Sequence, residues 1–461
     1  MNIVKDRQFY SNILAITVPI ALQNLMAFAT NMADTFMIGR ADNTGVMLSA
    51  INLANQPFFI LMMFLFGISG AGSVLASQYW GKKNIDAIKT VFSIVLKLAI
   101  GVTIIFMSVV LLFPKNVMSL FTNDAMTILR GSEYLQIVGF SYFLFSISST
   151  FIFSLRCVEL VRFSVVTQII TFFISVSLNY MLIFGNFGFP RLEHRGAAIS
   201  TLIARSIEML LVVGYIFLID KRLRFRPRDF LRWNQHLLTD LFRYGSPVVI
   251  NEVMWGIGMA VQASILGHID YSAGNPVAAN AVSGIVTQFS TIIMFGIANA
   301  ALVLIGKSVG EGNIEAVKLK ANTFKWIAFF AGLVAVVIIL VLRNYVTYIY
   351  DFGEDTNALA QQLLLVTACT IVFVSFSATY IVGILRGAGD TNFCLIIEVI
   401  ALWGFSLPLA AFFSIVLKLP VPLVLLSMRS DEIVKAVICM FRVRGKKWIK
   451  SVARDRVDVV S

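Results

Sequence analysis

The sequence predicts an all-α integral membrane protein: twelve transmembrane helices in two pseudo-symmetric six-helix bundles, related as parallel repeats. Three observations carry this: the composition is too apolar for a soluble chain, the long apolar runs number twelve, and the second half of the chain repeats the first. Of 461 residues, 58% are hydrophobic and only 13% charged, against about 25% charged in an average soluble domain. The runs fall near 13–38, 48–78, 90–113, 133–154, 163–184, 197–219, 241–267, 277–306, 321–342, 357–385, 393–417 and 420–441. They repeatedly exceed the roughly 18 residues that mark a membrane span. The first follows "MNIVKDRQFYSN", which has the charge of a signal peptide. The run is too long for one, contains Pro19 and lacks a small-x-small cleavage site, so it reads as a retained span. Arg429, Asp431, Glu432 and Lys435 interrupt the twelfth, the weakest of the set.

Charge placement orients the chain. With both termini on one side, the connections there hold Lys82, Lys83, Lys89, Arg156, Arg162, Lys307, Lys318, Lys320 and Arg386. The linker "DKRLRFRPRDFLRW" and the tail "FRVRGKKWIK" lie on that side too. The opposite side has far fewer basic residues, so the positive-inside rule puts both termini in the cytoplasm, which requires an even number of spans. The expected location is the cytoplasmic (inner) membrane of a prokaryote.

The repeat is visible in short motifs. "GKKNIDAIK" (81–89) matches "GEGNIEAVK" (310–318), and "LFGISGA" (65–71) parallels "MFGIANA" (294–300). Pro19 and Gly39 of the first run correspond to Pro247 and Gly267 of the seventh. Six spans per half make the repeat parallel, about an axis along the membrane normal. The expected organisation is an N-terminal lobe (1–220), a basic linker (221–240), a C-terminal lobe (241–441) and a basic tail (442–461).

Several function classes are excluded or disfavoured. The net charge of +12 resembles a nucleic-acid signal, but it concentrates in connections, where anionic lipid headgroups are the fitting partner. Cys157, Cys369, Cys394 and Cys439 form no CxxC, and His194, His236 and His268 have no metal-ligand spacing. No P-loop and no nucleophile–base pair is evident, and "FGISGAGS" reads as close helix packing. The chain reads as a non-enzyme, without cofactor, nucleic-acid partner or resident metal. A non-transporting sensor stays formally open.

The first span carries the chemistry. At 100° per residue Thr17, Asn24 and Asn31 share one face, with Asp34 and Thr35 flanking it. Unpaired amides and carboxylates are costly in hydrocarbon, so this face looks into the bundle. Pro19 removes a backbone hydrogen bond in the same helix and predicts a hinge. For Asp34 two readings stand: it ends the helix at the water boundary, or it lines a cavity and exchanges its proton for substrate or cation. A carboxylate near a membrane-helix centre costs roughly 2.5–3.5 kcal/mol. Elsewhere Arg205 and Glu208, three apart, can pair on one helix face. Lys97 and Lys325 can snorkel, and Glu398 has no evident partner.

The stretch "PIALQNLMAFATNMADTFMIGR" resembles the first helix of the multidrug and toxic compound extrusion (MATE) family. "LNYMLIFG" (178–185), "RGAAISTLIAR" (195–205) and "LRGAGDT" (385–391) also resemble that family's motifs, so the likeness covers nearly the whole chain. It implies a cation-coupled exporter, a proton or sodium antiporter driven by that ion's gradient. The implied cargo is small amphipathic organic compounds, mostly cationic, expelled by a monomer. By the same likeness Asp34 is the helix-1 acid of cation coupling and Pro19 the bending proline, with Pro247 its repeat counterpart. Asn179 stands where some members have a second Asp, Ser175 one turn before it, and Thr201 matches the polar helix-6 partner. Asn24, Asn31, Thr35 and Glu252 are expected to line the substrate cavity. Glu252 resembles an acid that sodium-coupled members carry in helix 7, but the helix-10 acid paired with it there is replaced by "VSFSATY", with Ser375 and Ser377. Transient sodium is expected at Asp34 or Glu252, and a structural Glu252 is equally open. The alternative is a lipid-linked oligosaccharide flippase of the same superfamily. A pyrophosphate headgroup calls for several Arg or Lys, and spans 1 and 2 have none.

Overall fold

A computed structural model describes residues 3–42, 45–269, 274–349, 353–445 and 447–454. Among these residues eleven helices are long and apolar enough to cross a membrane. They are α1 (Arg7–Ala41), α2 (Val46–Gly81), α3 (Ile85–Leu112), α4 (Ala125–Cys157), α5 (Arg162–Phe184), α6 (Glu193–Ile219), α7 (Gln235–Gly267), α8 (Pro276–Gly310), α9 (Ile314–Tyr345), α10 (Glu354–Leu385) and α11 (Thr391–Val416). No β-strand forms among the described residues. Lipid cannot satisfy backbone N–H and C=O groups, so a span must close its own hydrogen bonds, and a helix does so.

The twelfth run differs from one plain span. It forms two helices, α12 (Val421–Met428) and α13 (Ser430–Arg444), that meet at Arg429. The charges that interrupt the run explain the junction. Lys435 Nζ reaches Glu432 at 2.7 Å, Asp431 at 2.8 Å and Glu398 at 3.3 Å, and Ser377 donates to Glu432. Buried charges persist in such surroundings when paired, so Glu398, partnerless in the sequence, acquires Lys435 through the fold. A smaller interruption in α2 falls at Asn55, two residues before Pro57, whose ring nitrogen cannot donate to the preceding turn.

The chain divides into two compact units. One comprises chiefly Leu22–Gly72 and Ile85–Leu241; the other comprises Met1–Ala21, Ser73–Asn84 and Phe242–Asp455. The first packs around Leu61, Leu65, Leu135, Tyr142 and Ile183, and the second around Val286, Met294, Ile339, Leu363 and Ile371.

Inside the second unit the repeated motifs meet one another. A Cβ on Gly81 would lie 2.0 Å from the Lys307 carbonyl, and one on Gly310 would lie 2.0 Å from the Gln78 carbonyl. Gly81 matches Gly310 in the repeat, and at the same offset Gln78 matches Lys307. Each contact is therefore the copy of the other, as an approximate twofold axis between α2 and α8 requires. Glycine is needed at both positions because the backbones touch.

The basic linker is docked rather than free. Leu223 and Phe225 are buried while Lys221, Arg224 and Arg228 face outward. Asp229 takes the Arg226 N–H at 2.7 Å, Lys89 of α3 at 3.1 Å and Arg232 at 2.7 Å. Burial alone would raise its carboxyl, but those hydrogen bonds and charges outweigh it and hold Asp229 below the ordinary Asp value. Lys97 donates to the Arg232 carbonyl at 2.9 Å. The tail is anchored likewise: Trp448 is fully buried, Lys450 pairs with Asp390 at 2.6 Å, and Gln78 accepts the Val452 N–H at 2.8 Å.

Candidate functional site

A cavity of about 410 Å³ opens within the first unit, walled by α1, α2, α4, α5 and α6. Helical periodicity builds it. On α1 Gln23, Asn24, Ala27, Thr30, Asn31 and Asp34 border the space, spaced for one helix face. On α4 Tyr134, Ser141, Phe145, Ser149, Ile152 and Arg156 do the same. α2 adds Asn55, Phe58, Phe59, Met62 and Phe66, α5 adds Gln168, Thr171 and Ser175, and α6 adds Thr201, Ala204, Arg205 and Glu208. Aromatic and aliphatic walls carrying a few polar groups suit an amphipathic guest.

Asp34 sits in this wall, seven residues before α1 ends at Ala41. Asp34 therefore does not end the helix. Its Oδ1 accepts a 2.5 Å hydrogen bond from Asn179 Nδ2. Asn179 is 1% exposed, and its own Oδ1 has no hydrogen-bond partner. Asp34 makes no ion pair among the described residues. A carboxylate held by a neutral amide, next to a spare amide oxygen, offers oxygen ligands to a proton or small hard cation.

The other predicted residues fall into two groups. Asn24, Asn31, Ser175 and Thr201 border the cavity with Asp34. Thr35 does not: it is exposed, and its hydroxyl donates back to the Asn31 carbonyl at 2.8 Å. Thr17, first of the stripe, belongs to the second unit, buried against Gly296. A stripe that drifts along a 35-residue helix need not serve one neighbour throughout, which the heptad count alone does not reveal. Pro19 and Pro247 lie inside α1 and α7, which run through them.

Glu252 belongs to the second unit and, against expectation, is not among the residues bordering this cavity; Arg386 Nη1 contacts its Oε1 at 2.7 Å. Arg386 also donates to Asn251 and is 4% exposed. Arg386, expected in a basic connection, is instead turned inward by the fold and paired with Glu252. Ser375 donates to the Ala328 carbonyl at 2.7 Å, so neither serine of "VSFSATY" reaches Glu252 in the described contacts.

The cavity also holds charges that span 1 did not announce. Arg205 pairs with Glu208 at 2.6 Å, as their spacing predicts, with its guanidinium 4.7 Å from the Phe145 ring centre. Glu208 is 2% exposed and also within 3.4 Å of Ser148 Oγ. Arg156, read from sequence as part of a connection, instead lines the cavity from the last turn of α4 and donates to Gln23. Tyr134 hydroxyl reaches Asn55 Oδ1 at 3.4 Å. Span 4 carries the same periodic signal as span 1, with Tyr134, Ser141 and Ser149 on one helix face. Arg156 was hidden because basic residues at span ends ordinarily face headgroups.

Comparisons with known proteins fit this geometry. The family model MatE matches residues 19–181 and 247–412. A probable multidrug resistance protein, YoeA of Bacillus subtilis, is 23% identical over 409 residues, 88% of this chain and 87% of its own length. A probable multidrug resistance protein, NorM of Thermotoga maritima, is 26% identical over 454 residues, 96% and 95% of the two chains. Among solved structures, the outward-facing conformation of a multidrug resistance MATE family transporter of the MOP superfamily superposes with TM-score 0.84 at 18% identity. That match covers 96% of this chain and 99% of the other.

Proposed function

This chain belongs to the multidrug and toxic compound extrusion family of membrane transporters, and from that premise we propose a secondary active exporter driven by a proton or sodium gradient. Its cargo is small amphipathic organic compounds bearing a cationic group. It works as a monomer in the cytoplasmic membrane of a prokaryote, with both termini inside. The multidrug resistance assignments of relatives that align along most of the chain support the cargo class.

The observation that carries the mechanism is Asp34: a cavity-wall carboxylate whose hydrogen-bond partner is the neutral Asn179. Such a charge is compensated by something exchangeable. A proton or sodium ion neutralises it in one state, and the cation of the cargo does so in another. A ligand shifts an equilibrium only through its differential affinity for the two states, so coupling ion and cargo compete for the same acid. Arg205 does not cancel this charge in our reading, because Glu208 already holds it at 2.6 Å. The flippase alternative finds little support. A pyrophosphate calls for several free guanidinium or ammonium groups, and Arg156 is the one in the cavity wall without a carboxylate partner among the described residues.

Reconstituted vesicles decide the coupling. With ethidium inside, a pH gradient and a sodium gradient are imposed separately, and dye release is followed by fluorescence. Extrusion under one gradient, and not under its dissipation, is the expected result. Release indifferent to both gradients defeats the exporter reading.

A further inference from the structure

The cavity has two ends of unlike charge. Near one stands Asp34. On the same helix Gln23 stands eleven residues earlier, about 16 Å along the axis at 1.5 Å per residue. There Arg156 Nη2 donates to Gln23 Oε1, and the Arg156 guanidinium lies 4.8 Å from the Phe153 ring centre. Both residues keep unsatisfied donors: Arg156 Nε and Gln23 Nε2 are buried with no hydrogen-bond partner. Gln23 as a whole is 6% exposed, and Gln168 borders the same cavity from α5.

Among the described residues no carboxylate answers this cation. Arg156 makes no ion pair among the described residues. The two acids of the cavity are engaged elsewhere, Asp34 with Asn179 and Glu208 with Arg205. A guanidinium is permanently charged, and withdrawing it from water costs several kcal/mol unless an anion compensates. An Arg in the last turn of α4 also suits the negative end of the helix dipole. That accounts for an arginine at this position, but not for its side chain turned to Gln23 in a cavity wall.

We propose that this end is a subsite for an oxyanion group, a carboxylate or phosphate, carried by the exported molecule and held by Arg156 with Gln23 beside it. The preferred cargo is then a zwitterionic amphiphile, its cationic group toward Asp34 and its oxyanion on Arg156. This deepens the exporter reading and rests on it for the cargo, but binding is measured without transport.

The test uses the full chain in phosphatidylcholine nanodiscs and two probes: a rhodamine with a free carboxylate and its methyl ester, identical in the cationic ring. Fluorescence polarisation should give the acid about tenfold tighter than the ester, the size of one charge-assisted hydrogen bond. Arg156→Gln should reduce that preference below about twofold while the ester still binds at least as tightly as to wild type, which also reports an intact cavity; Arg156→Lys should keep about threefold. Equal binding of acid and ester to the wild type, or a preference that survives Arg156→Gln, overturns the proposal. So does failure of the acid, or of both dyes, to bind; ethidium release then judges the exporter reading independently. Adding phosphatidylglycerol separates the sources of the oxyanion. Loss of the acid preference would assign the subsite to a lipid phosphate and overturn its place in the cargo, whereas an unchanged preference keeps it there.

Discussion

α1 and α7 are two copies of one helix that carry their acids at different heights. Counting from the matched prolines, Pro19 and Pro247, Asp34 occupies the position of Gln262, and Glu252 that of Asn24. Acid and amide have exchanged places between the copies. In α1 the acid meets the neutral Asn179 in a cavity wall; in α7 it meets Arg386 at 2.7 Å. Gln262 donates to the Met428 carbonyl at 3.4 Å. One scaffold thus presents a carboxylate held by a neutral amide in one copy and one paired with an arginine in the other. The chemistry of an intramembrane acid is set by the partner that the neighbouring helix delivers, and helix membership alone does not decide it.

The largest expected effect is at the amide-held carboxylate, for which we propose exchange. Asp34→Asn removes the titrating charge and keeps the shape, so gradient-driven ethidium release should fall to the level of empty vesicles. The melting temperature should stay within about 3 °C of wild type. Full retention of release would take Asp34 out of the mechanism and end the contrast.

The arginine-paired carboxylate should fail differently. Glu252→Gln leaves Arg386, 5% exposed in its side chain, without a counter-charge, which costs about 3 kcal/mol when a buried pair is broken from one side. Thermal unfolding should show that loss, while release per folded molecule stays within about threefold of wild type. Replacing both partners, Glu252→Gln with Arg386→Met, should recover much of the stability. A Glu252→Gln protein that melts normally but no longer exports would make Glu252 a coupling acid and erase the distinction.

The smallest effect isolates pH dependence. Asp229 lies outside the spans, and its carboxyl is held below the ordinary Asp value. A depressed value contributes stability that is present above the unfolded-state value, near 4, and is lost as pH falls through the lower folded value. Asp229 therefore stays ionised from pH 8 to 5. Asp229→Asn should lower stability by about 1–2 kcal/mol, equally at both ends of that range, as melting curves can measure. Any pH dependence of export in the same window then does not come from Asp229. Unequal decrements would mean that the linker titrates too.

Much of the fold is legible without coordinates, because lipid imposes strict rules. Apolar runs long enough to cross must be helical, and a repeated motif such as "GKKNIDAIK" and "GEGNIEAVK" must recur in space. The direct contact of Gly81 and Gly310 with each other's repeats follows from that symmetry. The pairing of Arg205 with Glu208 was readable as well, since both lie on one helix three residues apart. What one span could not reveal was which of its polar residues share a neighbour. Thr17 and Asp34 lie on one helix, yet they fall in different compact units.

The sequence by itself determined the helical nature of the spans, the internal repeat and the polar face of the first span on which Asp34 lies, because these follow from local composition and period. Only the tertiary structure decided the partners: Asn179 for Asp34, Arg386 for Glu252, Lys435 for Glu398, and, among the described residues, no carboxylate for Arg156. Partnership between helices depends on which faces meet across tens or hundreds of residues of chain, and electrostatic compensation in a medium of low dielectric is settled at those faces.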